Sequence, residues 1–224
     1  MEELRIQGAD ATYRPGKLVC VGRNYAEHAR EMRSELPTVP MLFLKPASAL
    51  IPDGGTIVLP SMSRDVHHEV ELVALIGVRT RNATPQEARS SVAALAVGLD
   101  MTARDLQQAA KEAGHPWCVA KGFDTFAPLG PFQAVDADTF PVSMDISLTV
   151  NGERRQSGHT SDMIFSLEDV IAYASAIFTL EPGDLIYTGT PSGVSAVRPG
   201  DRLEARAGGL PPLRVDVQSG AGHE

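Results

Sequence analysis

The stretch 66–77, VHHEVELVALIG, decides the fold prediction because a polar start runs directly into aliphatic residues. In an extended strand, side chains two positions apart project to the same face, so Glu69 and Glu71 share one face, which Val73 and Leu75 continue. The opposite face is aliphatic and consists of Val70, Leu72, Ala74 and Ile76. The pattern predicts a buried β-strand that carries two carboxylates at its beginning.

Short aliphatic or β-branched runs recur along the chain between glycine, proline and aspartate residues, which is typical of strands separated by turns. The predicted strands are Leu18–Val21, Met41–Lys45, Thr56–Leu59, Glu69–Val78, Ala94–Asp100, Ile146–Val150, Asp184–Thr188 and Leu213–Val217. Asn151-Gly152 predicts a hairpin turn, because type I′ turns require a positive φ at both central residues. These runs indicate a mainly antiparallel β core.

Helical periodicity occurs in fewer places, and the helices are expected at the periphery. The predicted helices are Thr84–Ala94, Arg104–Glu112 and Leu167–Ile177, with Thr84-Pro85 and Ser166 as N-caps. The polar stretch Ala26–Glu35 also permits a short helix, which Pro37 and Pro40 end. The predicted fold class is therefore mainly β with peripheral helices (α+β).

Composition narrows the classes of protein that the chain can represent. Its 224 residues carry a formal charge of −8, and no basic run exceeds Arg154-Arg155, which disfavours nucleic acid as a partner. No apolar stretch approaches the roughly 20 residues of a membrane span. Cys20 and Cys118 lack C-x-x-C spacing, and the acidic N-terminus has no apolar signal core. We expect reduced thiols, a cytoplasmic location and no membrane partner.

The chain contains no repeat, low-complexity tract or charged linker that would divide it. We therefore expect one domain. Its predicted limits are a short N-terminal lead over 1–16, a catalytic domain over 17–217 and a flexible tail over 218–224.

A third carboxylate belongs to the same constellation. The small apolar run AALAVGLD, 93–100, ends in Asp100, and a divalent cation is an economical way to keep three acids charged at the edge of a buried strand. Hard oxygen ligands select Mg²⁺, Mn²⁺ or Ca²⁺ over Zn²⁺. His67 and His68 face opposite ways in a strand, so each is expected to support or pack rather than to bind metal. Read alone, the pattern favours a solvated strand face with Asp100 as a turn cap.

Six blocks give the chain a family resemblance: VGRNYAEH at 21–28, FLKP at 43–46, HHEVEL at 67–72, GLDMTARDLQ at 98–107, PWCVAKGFD at 116–124 and TGTPSGV at 188–194. In this order they resemble the fumarylacetoacetate hydrolase family, in particular its short acylpyruvase and oxaloacetate decarboxylase-like branch. The resemblance implies a mixed β-sandwich roll of the type of that family's C-terminal domain, usually a homodimer. It also implies Mg²⁺ or Mn²⁺, with Ca²⁺ as a possible substitute, bound by Glu69, Glu71 and Asp100.

The resemblance also assigns catalytic roles. By resemblance, His28 and Glu31 would form the general-base pair and 26–35 would act as a lid. The spacing of three lets both side chains share one helical face. Lys45 and Lys121 lie in otherwise apolar runs, where an unpaired ammonium is costly, so both are expected to face an anion. By resemblance Lys121 is catalytic and Lys45 belongs to the substrate pocket.

The remaining candidates are substrate-binding residues. Arg104 and Gln107, one helical turn apart, are expected to bind the distal carbonyl or carboxylate of the substrate, with a solvated helix face as the alternative. Thr190 would contact the substrate carboxylate, and Arg23 would support the loop before His28.

The expected activity is cleavage of the carbon–carbon bond of acylpyruvates, such as fumarylpyruvate or acetylpyruvate, to pyruvate and a carboxylic acid. Oxaloacetate decarboxylation is a possible second activity, so the expected partner is a small 2-oxo acid. The alternatives are an isomerase or decarboxylase of hydroxymuconate-type dioic acids and a non-catalytic, metal-stabilised interaction domain. The histidine–glutamate pair and the two lysines in apolar surroundings argue against the last.

Overall fold

The computed structural model describes residues 1–31, 35–135, 140 and 143–220. The strands are β1 (Leu4–Gln7), β2 (Thr12–Tyr13), β3 (Leu18–Gly22), β4 (Met41–Lys45), β5 (Leu50–Pro52), β6 (Thr56–Leu59), β7 (Val66–His67), β8 (Val70–Ile76), β9 (Val92–Leu99), β10 (Thr102–Ala103), β11 (Ala127–Leu129), β12 (Phe132–Ala134), β13 (Asp145–Val150), β14 (Glu153–His159), β15 (Leu185–Tyr187), β16 (Arg202–Ala207) and β17 (Leu213–Ser219). The helices are α1 (Ala26–Glu31), α2 (Pro85–Ser90), α3 (Arg104–Ala113), α4 (Cys118–Lys121) and α5 (Leu167–Ile177), with 3₁₀ turns at Ala47–Ala49 and Thr160–Asp162.

Two mixed sheets form the body of the molecule. The larger sheet has the order β2-β1-β12-β9-β8-β15-β3-β4, with β11 joining β9 to β5, and the smaller has the order β14-β13-β16-β17-β6. Most neighbouring strands are antiparallel, but the pairs β1–β12, β5–β11, β3–β15 and β6–β17 are parallel. The prediction of a mainly β fold with peripheral helices is confirmed, and the parallel pairs make the sheets mixed.

Strand β8 lies at the centre of the larger sheet, between β9 and β15, and every residue in it is buried. Its even-numbered side chains join the main core, which includes Leu148 and Leu203 of the smaller sheet. Val73 and Leu75 project to the other face and pack in a second core with Leu4. The strand thus has two apolar faces, as the sequence predicts, and the carboxylates occur only where it begins.

The first and last strands, β1 and β17, both pair within these sheets. Strand β1 pairs with β12, and Leu4 and Ile6 are buried, so the predicted N-terminal lead contributes to the larger sheet. The predicted tail from residue 218 begins inside β17, which extends to Ser219, and residues 221–224 lie outside the described part. Within the described residues, no helix combines the length and apolar character needed to cross a membrane.

The predicted turn and helix ends agree with the structure at specific positions. Asn151 and Gly152 have φ values of 54° and 82° and join β13 to β14. Thr84 and Ser166 each cap a helix through a capping box. Helix α2 ends at Ser90, before the predicted limit, because the β-branched and aliphatic residues from Val92 onwards pair with β8.

Gly98 in β9 allows the central strands to approach closely. A Cβ atom at this position would lie 2.7 Å from Val73 Cγ2 and 3.1 Å from Tyr187 Cε1. We expect Gly98→Ala to lower the free energy of unfolding by about 1–3 kcal/mol, because an added methyl overpacks a filled core. Denaturant titration measures this. Gly209→Ala is the control, since a Cβ atom there would meet nothing within 4 Å, and equal losses for both variants would contradict the packing argument.

Candidate metal centre and its pocket

Three carboxylates converge at the edge of the central strands. One side-chain oxygen each from Glu69, Glu71 and Asp100 lies within 4.8 Å of the other two, and all three residues are buried. The register produces this cluster, because β8 and β9 pair Val70 with Leu99 and thereby set Asp100 opposite Glu69. The Asp100 amide N–H donates to the Glu69 carbonyl at 2.8 Å.

Three cations surround two of these acids. Lys121 Nζ lies 2.8 Å from Glu69 Oε2 and 2.6 Å from Asp100 Oδ2, and Lys45 Nζ lies 2.6 Å from Asp100 Oδ1. Arg104 forms an ion pair with Glu69. Burial opposes the charge on Lys121, but Asp100 and Glu69 raise its pKa overall. Burial likewise opposes the charge of Glu69, while Lys121 and Arg104 hold the pKa of that carboxyl well below its usual range.

Glu71 differs from its neighbours, because no Lys or Arg of the described residues forms an ion pair with it. Its Oε2 accepts the Gly189 backbone N–H at 2.8 Å. Burial, followed by the charges of Asp100 and Glu69, raises the pKa of Glu71 well above its usual value. The cluster thus has one carboxylate that lacks a compensating cation. A divalent ion with a preference for oxygen ligands fits this donor set and relieves that repulsion.

A pocket opens over the carboxylates, and most of the predicted site residues line it. These are Arg23, His28, Glu69, Glu71, Arg104, Gln107, Lys121 and Thr190. Asp100 lies below the lining, in contact with both lysines. Lys45, predicted as a substrate-pocket residue, also lies outside the lining. Its ammonium is fully buried and donates to Asp100 and to the Met101 carbonyl at 3.0 Å, so it supports the carboxylate from below.

The predicted base pair is assembled on α1. His28 Nδ1 lies 3.2 Å from Glu31 Oε2, and the Gly193 backbone N–H donates to Glu31 at 3.1 Å. Burial lowers the pKa of His28 below its ordinary value, although Glu69 and Glu31 oppose that shift. At neutral pH the imidazole is therefore neutral and able to accept a proton. Of the predicted lid 26–35, residues 32–34 lie outside the described part of the chain.

The helix α3 contributes the residues on one side of the pocket. Arg104 Nη1 donates to Gln107 Oε1 at 2.9 Å, and no described residue accepts from the Gln107 amide hydrogens. Lys111, one turn further along, also lines the pocket, and its ammonium lies 5.4 Å from the centre of the Trp117 ring. Sequence reasoning did not single out Lys111. The spacing of Arg104, Gln107 and Lys111 at i, i+3 and i+7 is the signal that places them on one helical face.

Two lining cations form no ion pair with an acid in the described part of the chain. Lys111 and Arg23 are both half-buried, and neither forms an ion pair with a carboxylate of the described residues. Arg23 also has a φ of 61°, an unusual conformation for a residue with a side chain. Arg104 and Lys121, by contrast, are both paired with acids of the cluster. The lining of the pocket therefore includes two cations that form no ion pair with the described residues.

A buried glutamine that sequence reasoning missed lies behind the pocket. Gln156 of β14 bonds to Thr190 Oγ1 at 2.8 Å and to His68 Nδ1 at 2.9 Å. Burial lowers the pKa of His68 to about 4, and His68 lies behind the carboxylates rather than among the ligands. His67 instead contacts Asp65, at 2.8 Å. Gln156 is the one fully buried residue of the polar strand ERRQSGH. Nothing in that run of sequence except its inward-facing position indicates a role in the site.

Residues 17–218 match the model of the family described as fumarylacetoacetate (FAA) hydrolase, C-terminal. The chain belongs to the fumarylacetoacetate hydrolase family. The mitochondrial oxaloacetate tautomerase FAHD1 of Rattus norvegicus is 47% identical over 201 residues, which cover 90% of this chain and 91% of that protein. The expected fold of the family's C-terminal domain is thereby confirmed.

Solved structures of similar proteins share this fold. The fumarylpyruvate hydrolase of Pseudomonas aeruginosa, in complex with Mn²⁺ and pyruvate, superposes with a TM-score of 0.91 at 42% identity, covering 97% of this chain and 96% of that one. The 5-carboxymethyl-2-hydroxymuconate delta-isomerase of Mycobacterium smegmatis has a TM-score of 0.83 at 36% identity, covering 95% and 82%. The structural relatives thus include proteins named for different reactions.

The carboxylate cluster predicts metal binding that depends on Glu71. We expect Glu71→Gln to weaken Mn²⁺ binding by more than about 100-fold, because loss of a direct ligand should exceed the usual effect of removing a residue behind one. Isothermal titration calorimetry with Mn²⁺ measures the affinity. Glu153→Gln, an exposed acid on the β13–β14 hairpin, should bind Mn²⁺ as the unaltered protein does. Unchanged affinity in Glu71→Gln would refute the assignment.

Proposed function

We propose that this protein is a divalent-metal-dependent enzyme that hydrolyses the carbon–carbon bond of acylpyruvates, giving pyruvate and a carboxylic acid. The observation that carries this proposal is that His28, which contacts Glu31, lines the same pocket as Glu69 and Glu71. A base is required to activate water, and a cation site is required to bind a 2-oxo acid. The same pocket supplies both.

The metal site would be formed by Glu69, Glu71 and Asp100, with Mg²⁺ or Mn²⁺ as the ion. When bound, such an ion supplies Lewis-acid polarisation of the substrate's 2-oxo group. The Mn²⁺ and pyruvate in the Pseudomonas aeruginosa relative support this choice of metal and product. Lys121 uses two of its three N–H groups on Glu69 and Asp100, so the third is available to a substrate oxygen.

Hydrolysis proceeds by addition of water to the distal carbonyl. His28 accepts a proton from the water, and the resulting hydroxyl oxygen bonds to the carbonyl carbon. The bond between that carbon and the methylene then breaks, and its electron pair leaves as pyruvate enolate, which takes up a proton to become pyruvate. Glu31, anchored by the Gly193 N–H, orients the imidazole and stabilises the imidazolium that forms.

Oxaloacetate is the second candidate substrate, favoured by the relative named as an oxaloacetate tautomerase. Its decarboxylation also leads to pyruvate enolate, but it needs no attacking water. Lys121 and the cation site would therefore serve both reactions, and the base pair would serve only hydrolysis. The predicted homodimer and cytoplasmic location stay predictions.

Removal of the base should separate the two reactions. We expect His28→Ala to lower kcat for acylpyruvate hydrolysis by about 10²–10⁴-fold, the usual contribution of a general base, and to leave substantial oxaloacetate decarboxylation. The assays use acetylpyruvate, fumarylpyruvate and oxaloacetate with Mn²⁺, and again with EDTA, which should abolish every activity. Arg30→Ala, an exposed residue of the same helix, is the control. Equal loss of both reactions in His28→Ala would refute this division.

Charge in the pocket favours a substrate with two carboxylates. Lys111 and Arg23 lack acidic partners among the described residues, and a bound divalent ion would add two further positive charges. Acetylpyruvate brings one carboxylate, whereas fumarylpyruvate and oxaloacetate bring two. We therefore favour dioic 2-oxo acids as the better substrates, with the second carboxylate near Lys111 and Arg23.

Lys111→Met tests this preference, because methionine keeps an unbranched apolar stem and removes only the charge. We expect KM for fumarylpyruvate to rise about tenfold, consistent with the loss of one hydrogen bond to a charged group, while KM for acetylpyruvate changes less than about twofold. Steady-state kinetics with both substrates measure the ratio. Arg154→Met, on an exposed part of β14, is the control. Equal increases for both substrates would contradict a role in recognising the second carboxylate.

A further inference from the structure

The side-chain amide of Gln156 is buried and makes all of its possible hydrogen bonds. Its Oε1 lies 3.0 Å from the Val70 backbone nitrogen and 2.9 Å from His68 Nδ1. Its Nε2 lies 2.8 Å from both Thr190 Oγ1 and the Pro191 carbonyl oxygen. Gln156 thus links the start of β8, where the carboxylates lie, to the loop after β15.

The partners fix the orientation of this amide. The Val70 N–H can only donate, and the Pro191 carbonyl can only accept, so the oxygen of Gln156 must face Val70 and its nitrogen must face Pro191. The two hydrogens of Nε2 therefore go to Pro191 and to Thr190. The imidazole of His68 donates from Nδ1 whatever its charge, because Gln156 Oε1 is an acceptor only. No flipped arrangement satisfies all four contacts.

A consequence follows for the hydroxyl of Thr190. Its oxygen accepts from Gln156, so its own hydrogen must be donated in another direction. Among the residues that the structure describes, no acceptor for that hydrogen is found. Thr190 lines the pocket, so the O–H is available to an acceptor inside it.

We propose that Gln156 is a positioning residue, which holds the Thr190 hydroxyl as a hydrogen-bond donor to the carboxylate of the bound 2-oxo acid. This inference rests on the proposed function, since it takes that acid as the ligand. Gln156 acts only through Thr190 and does not touch the substrate. Through Val70, it also fixes the distance between that donor and the strand that bears Glu69 and Glu71.

The alternative is a purely structural glutamine that satisfies buried backbone groups. A double-mutant cycle separates the two roles, because a positioning residue loses its effect once the group it positions is removed. The variants are Gln156→Met, Thr190→Val and the combination of both. The measurements are the dissociation constant of oxalate in the presence of Mn²⁺, by calorimetry, and kcat and KM for fumarylpyruvate.

We expect each single variant to weaken oxalate binding and raise KM by about tenfold, with kcat changed less than about threefold, because a hydrogen bond to a charged group is lost. The double variant should be no weaker than Thr190→Val alone. Ser195→Ala is the control, since it removes a contact of His68 and leaves the amide of Gln156 in place, and its oxalate affinity should be unchanged.

Unchanged oxalate affinity in Gln156→Met, or additive losses in the double variant, would overturn the inference. If Gln156→Met does not fold, Gln156→Glu is the second variant, because it keeps the side-chain size and the acceptor for the Val70 N–H. Its carboxylate can only accept, so the Thr190 hydroxyl would donate to it, which reverses the direction of that hydrogen bond. The penalty of Gln156→Glu on oxalate binding should then shrink in the Thr190→Val background, and an undiminished penalty would count against positioning. Absence of oxalate binding to the unaltered protein would instead refute the proposed function, and this inference with it.

Discussion

The close approach of three buried carboxylates is the constraint on which the rest of this structure depends. Like charges at such distances repel strongly where water is excluded, so each acid needs a compensating partner. Lys121, Lys45 and Arg104 compensate Glu69 and Asp100, and a backbone N–H is what Glu71 receives from the described residues. The pocket residues surround this uncompensated negative charge, and the charge of the proposed metal would compensate it.

The two central strands place this cluster at the surface end of a core. Strand β8 is apolar on both faces, so its carboxylates occur where the strand begins and where β9 ends. The main chain therefore determines the spacing of the acids, and side-chain flexibility contributes little to it. Such a rigid backbone support suits a site that must hold an ion and a substrate at fixed distances.

Much of this fold could be predicted from periodicity, since Met41–Lys45, Thr56–Leu59 and Leu167–Ile177 have the predicted limits. Strands with few large aliphatic residues were missed: the fully buried position of β14 is Gln156, and β16 buries a single leucine, Leu203, beside Ala205 and Ala207. Strand β14 pairs with β13 across the predicted hairpin turn, but β16 depends on pairing with β13 over a long sequence separation. Local sequence patterns do not report such interactions.

The residues of the candidate site likewise differ in how well the sequence predicted them. Strand parity groups Glu69 with Glu71, whereas the family blocks were needed to join Asp100 to them as a metal site and to identify His28 and Thr190. Gln156, remote in sequence from both His68 and Thr190, gave no comparable signal. Lys45 was placed correctly beside an anion, but that anion proved to be Asp100, because the sequence does not say how deep the lysine is buried.

The loop that follows β15 contacts the carboxylate cluster, the pocket and the residue that orients His28. Gly189 donates to Glu71, Thr190 lines the cavity, and Gly193 donates to Glu31. Gly189 and Gly193 have φ values of 93° and 95°, and a Cβ at Gly193 would lie 2.2 Å from the Arg155 carbonyl. A change in the length of this loop would displace its contacts with Glu71 and Glu31 and the position of Thr190 together. Substitutions at Gln107 or Lys111 of α3, by contrast, would alter another side of the pocket and leave these loop contacts in place.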